Sequence, residues 1–221
     1  MINNNLHLNS SVTVTEFTEA IAHIKECQNS KWEDVYTTIF SPYFDAIDET
    51  YITPIKEIII NVQCSEHIVA LACCSLIDLY MQLTDSTAGK GAVTASFNKY
   101  AIILKNKNIL EFVGKEQFTN TLRNALVHTS FITSNNSKII GLSYSNSYDT
   151  LDSINTMINN DNQNFQIDVQ LENQINRHTT NQIFIDLLFF QIIKDFNELK
   201  QNFSNPIVGA PLLNRITDQF K

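Results

Sequence analysis

Arg123, Asn124 and His128 stand within one short stretch, TLRNALVHTSF, at positions 121–131. These residue types suit chemistry on a phosphodiester that carries its own nucleophile. In RNA the 2′-hydroxyl lies beside the scissile phosphate. Cleavage then needs a base for that proton, an acid for the leaving 5′-oxygen and positive charge for the phosphorane. Histidine changes charge near neutral pH and serves in either proton role. Arginine presents a fixed fork of donors to phosphate oxygens. Asn124 is suited to orient either side chain or a phosphate oxygen. No carboxylate cluster with metal-binding spacing stands beside the three, so a two-metal reaction is not expected and no metal or cofactor is assigned.

These residues must be held on one surface, and the local pattern provides it. From Lys115 the chain reads as a helix, with no further glycine until Gly141. At about 100° per residue, Phe118, Leu122, Ala125, Leu126 and Thr129 share one side, a stripe fit for a core. Arg123, Asn124 and His128 fall on the other side within an arc of about 140°, together with Gln117 and Asn120.

The spacing Arg123-Asn124-x3-His128 resembles the R-x4-H signature of the HEPN superfamily (higher eukaryotes and prokaryotes nucleotide-binding), in which an amide, acid or histidine often follows the arginine. The resemblance extends over roughly Thr13 to Phe203. It implies an all-α helical bundle and metal-independent endoribonuclease activity, as in toxins and antiviral effectors of the family. It also implies a homodimer in which two motif helices form one composite cleft, so that Arg123, Asn124 and His128 are catalytic. A cognate antitoxin or defence-system partner is a further expectation. The alternative within the same family is a non-catalytic module that dimerises or binds a partner. One departure is Ser130, two residues after the histidine, where some HEPN toxins carry a tyrosine that a partner nucleotidyltransferase modifies.

The charge distribution points to the same segment. The chain carries a net −8, which argues against a general nucleic-acid binder. Residues 90–138, however, hold seven cations against two anions, a net of +5, while the remainder holds eight against 21, a net of −13. An anionic ligand is drawn to the motif segment and repelled elsewhere. Lys105, Lys107 and Lys115 of that segment, with Asn120 on the motif arc, are the expected RNA contacts.

The 221 residues, 43% apolar and 17% charged, suit one good core. Residues 1–12 are Asn-rich and expected to be loose, 13–203 to form a single HEPN-like domain, and 204–221 a tail or short helix. Thr13–Glu16 and Ser30–Glu33 have capping-box spacing. Ser41-Pro42 and Thr53-Pro54 read as two helix starts, and Ser65 opens a long helix that is apolar on nearly every side. Within an insertion at about 134–178, Lys138–Tyr144 and Phe165–Val169 read as strands of a small antiparallel hairpin, with one helical turn near Leu151–Ile158. Thr179-Thr180 is expected to cap a last strong helix from Asn181. The opening MINNNLHLNSS has no leader pattern. The apolar runs Ile68–Ile77 and Ile183–Ile193 are short and interrupted, so no membrane span is expected and the protein is expected to be cytoplasmic. The cysteines, none in a C-x-x-C pair, read as small buried hydrophobes.

If the basic segment guides RNA, charge reversal at Lys105, Lys107 or Lys115 weakens RNA binding and flattens its salt dependence, whereas reversal at Lys25, Lys194 or Lys200 has less effect. Equal losses from both sets, measured by filter binding across a salt series, would reduce the +5 cluster to an accident of composition.

Overall fold

Pro42 and Pro54 would each be expected to start a helix, yet the backbone is helical at every residue from Trp32 to Asn61. The computed structural model describes residues 7–26, 31–85, 93–106, 140–159, 171–172, 179–203 and 205–220. These are mostly helical, in line with the all-α expectation, with one small sheet. Their contacts group into two compact units: residues 1–54 with 195–221, and residues 55–194. A single domain over 13–203 was the expectation from sequence.

In the first unit, α1 (Val14–Glu26) begins with the expected capping box. Thr13 N–H donates to Glu16 Oε2 at 2.9 Å and Glu16 N–H to Thr13 Oγ1 at 3.2 Å, satisfying two donors at the helix start. The Thr13 N–H and, at 2.8 Å, the Thr13 hydroxyl both donate to the Glu16 carboxylate and hold it below its ordinary value. The second expected box, Ser30–Glu33, is described only in part. Lys31 takes the cap position of α2 (Trp32–Val35), with no side-chain bond, and Ser30 lies outside the described residues.

The run then alternates α-helical and π-helical turns: Tyr36–Phe40 is π, α3 is Ser41–Ile47, Asp48–Ile52 is π, and α4 is Thr53–Asn61. Each proline follows a π turn by two residues. An interior proline lacks the N–H and presses on the carbonyl four residues back, here Thr38 or Thr50. A widened turn at that place accommodates both defects without ending the helix. The expected breaks at Ser41 and Thr53 are therefore absent, and both residues are right-handed helical.

Residues 7–12, expected to be loose, are pinned to α3. Asn9 is buried, donates to the Pro42 carbonyl at 3.0 Å and accepts from the N–H groups of Ser11 and Val12. The unit's core is aromatic. Phe40 stacks on Phe203 with ring centres 5.0 Å apart, and Phe17 lies against Tyr43 and Phe220. Fully burying one such ring contributes about 1.5–3 kcal/mol. Where a tail or short helix was expected stands the helix α9 (Pro206–Gln219), capped by Asn205, whose side chain accepts from Ile207 N–H. Trp32 closes it down, donating from Nε1 to the Phe203 carbonyl at 2.8 Å. Its indole lies on Gly209, where a Cβ would sit 2.1 Å from the ring.

In the second unit α5 (Glu66–Thr84) carries α6 (Val93–Asn106) and the first strand on its surface. Val69, Ala70, Cys73, Leu76, Ile77 and Leu83 of α5 are buried, whereas Ile68 and Leu71 are exposed. By length and composition this helix is apolar enough to cross a membrane. The core helix of a soluble bundle meets the same criterion, and the packing of α6 and the strand upon it fits that role. Cys64, just before it, is exposed and adopts a left-handed backbone with φ 55°, so only part of the buried-cysteine expectation holds.

β1 (Ile140–Ser143) lies in the first expected strand, but it pairs in parallel with β3 (Thr179–Phe184). β2 (Leu171–Glu172) pairs with β3 in antiparallel fashion, giving the order β1-β3-β2. Residues 165–169 lie outside the described residues. The segment TTNQIF, rich in residue types that favour strands, forms β3 rather than the first turn of a helix. The last strong helix of the sequence accordingly begins four residues later, as α8 (Ile185–Asn202). Parallel strands need a crossover, and α7 (Leu151–Asn159) lies within it as a full helix.

Gly209→Ala forces the Trp32 ring or the α9 backbone to move and is expected to destabilise the protein by about 1–3 kcal/mol, read by circular dichroism melting. A change within 0.3 °C of zero would mean that the ring gives way freely.

Candidate functional site

Arg123, Asn124 and His128 lie outside the described residues, as do Asn120, Lys107 and Lys115. Lys105 belongs to the last turn of α6, by its backbone. Of the other cations in the basic segment, Lys99 is engaged by Asp85, which removes part of that segment's free charge. Among the described residues, no group of three or more His, Cys, Asp or Glu side chains is placed to hold a metal ion.

A polar cluster inside the second unit went unread in the sequence. The parallel register sets Ser143 opposite Phe184. Two residues further along each chain, Ser145 and Asp186 meet. Asp186 lies in the first turn of α8, where a negative charge complements the helix dipole. It is fully buried, and an ionised carboxylate in such a place needs donors. Ser145 N–H lies 3.0 Å from both carboxylate oxygens, Ser145 Oγ donates to Oδ2 at 2.5 Å, and Tyr148 OH donates to the same oxygen at 2.7 Å. Tyr148 also meets Phe190 edge-on at 5.6 Å. Burial pushes the Tyr148 phenol well above its ordinary value, and the neighbouring Asp186 charge adds to that.

A second clasp lies on the adjoining residue. Ser65, also buried, donates from Oγ to the Val62 carbonyl at 2.7 Å. Its single proton is then committed, so the 2.7 Å contact with Tyr144 has the phenol donating to Ser65 Oγ. Burial raises the Tyr144 phenol to about 12. Cys73, fully buried, has its thiol pushed up by burial, then by Cys74 and Asp186. It is held as an inert thiol.

Chemically this cluster is an anchor. The Ser145 proton is directed at a carboxylate that backbone and phenol donors already occupy, and among the described residues no imidazole bonds either group to take that proton onward. What it does is fasten the chain leaving β1 to the start of α8 and, through Tyr144, to the start of α5. The signal in the sequence was an acid inside an apolar run, IFIDLLFFQII. Such an acid rarely becomes buried unless it is bonded.

Asp186→Ala removes the acceptor for three buried or half-buried donors and is expected to cost at least about 1.5–3 kcal/mol. Tyr148→Phe, which loses one bond, should cost less. Urea unfolding of the two variants tests the order, and a milder loss for Asp186→Ala would refute the anchor. Tyr144 also gives a pH dependence. Its proton is held more tightly in the folded chain, so its contribution is full below about pH 10 and is lost as pH rises towards 12. Tyr144→Phe is expected to flatten the fall in melting temperature over that window, and an unchanged slope would count against the burial of the Tyr144 phenol.

Compared with protein-family models, with curated proteins and with solved structures, the chain matches none of them.

Proposed function

We propose that this chain is a metal-independent endoribonuclease of the HEPN type that works in the cytoplasm as a homodimer. The observation that carries the reading is the sequence Arg123-Asn124-x3-His128, whose spacing, at helical periodicity, sets these polar residues opposite Phe118, Leu122 and Leu126. The mostly helical architecture is compatible with it. His128 from each protomer supplies one of the two proton roles, base at the 2′-hydroxyl and acid at the 5′-oxygen. Arg123 binds the phosphate and stabilises the phosphorane, and Asn124 orients them. Lys105, Lys107, Lys115 and Asn120 guide the strand. A toxin or antiviral effector of this kind is held in check by a cognate antitoxin or defence-system partner.

The test is cleavage of total RNA by the purified protein in excess EDTA. The 5′ fragment is expected to end in a 2′,3′-cyclic phosphate or its opened 3′-phosphate, the 3′ fragment in a free 5′-hydroxyl. A 2′-O-methyl at the cleaved nucleotide leaves the RNA intact, and the rate depends on pH between about 5 and 8. Arg123→Ala and His128→Ala each lower the rate by at least about 100-fold, with the melting temperature nearly unchanged. Activity restored by magnesium after chelation, or 5′-phosphate ends, would refute the mechanism. A dimer with no cleavage of any RNA would leave a non-catalytic module.

A further inference from the structure

We draw no further inference here: the strongest candidate, the exposed apolar strip that Ile68 and Leu71 form on one face of α5, carries nothing because nothing in the structure shows what covers it.

Discussion

A carboxylate in an apolar interior must be given donors or give up its charge. Asp186 meets that constraint with groups contributed from 38 and 41 residues away. The constraint works in both directions. The strand pairing places Ser145 within reach of the acid, and the acid in turn fixes where the chain goes after β1. A one-residue slip between β1 and β3 would carry Ser145 past the carboxylate and leave it short of donors. The sheet is small, with β2 contributing only two residues, so its ladder alone is a weak determinant of register. The buried acid makes up for that by penalising every other register.

The first unit solves a different problem. Its two halves come from opposite ends of the chain, and the joining contacts use geometry more than charge. A glycine lets an indole rest on helix backbone, the same indole bonds the preceding carbonyl, and a phenol, Tyr43, donates to Gln219 at 2.6 Å. Such contacts depend on the absence of atoms as much as on their presence. Interiors packed at crystal density have little room to absorb an extra methyl group.

Features decided within one helical turn were legible in the sequence. The Thr13–Glu16 box needs only residues three apart, and the start of α5 next to Ser65 follows from the apolar run behind it, although the Ser65 hydroxyl bonds Val62 and does not cap the helix. The prolines show where local reading stops. A proline at the first helical position and one tolerated inside a helix after a π turn look alike in sequence, and packing of the aromatic stripe selects the second. Thr179-Thr180 is similarly two-valued, able to cap a helix or to enter a strand. The two threonines pair with Glu172 and Leu171 of β2, and the rest of β3 pairs with β1, 41 residues earlier, a pairing that no local pattern carries. The expected site at Arg123, Asn124 and His128 rests on residue types and spacing alone. All three lie outside the described residues, and the arrangement expected for them calls on a second protomer, which one sequence does not encode as a local signal. Asp186 shows the converse, a residue whose importance arises from burial.

The seat of Trp32 has a spectroscopic consequence. It is the chain's one tryptophan, and its ring is fixed against Gly209 and the Phe203 carbonyl, all within the first unit. Intrinsic fluorescence excited at the red edge of protein absorbance therefore reports on that unit, whereas the far-ultraviolet helix signal averages over both. Recording the two probes in one titration turns a single side chain into a gauge of cooperativity. Coincident midpoints mean one folding unit, and separated midpoints mean two.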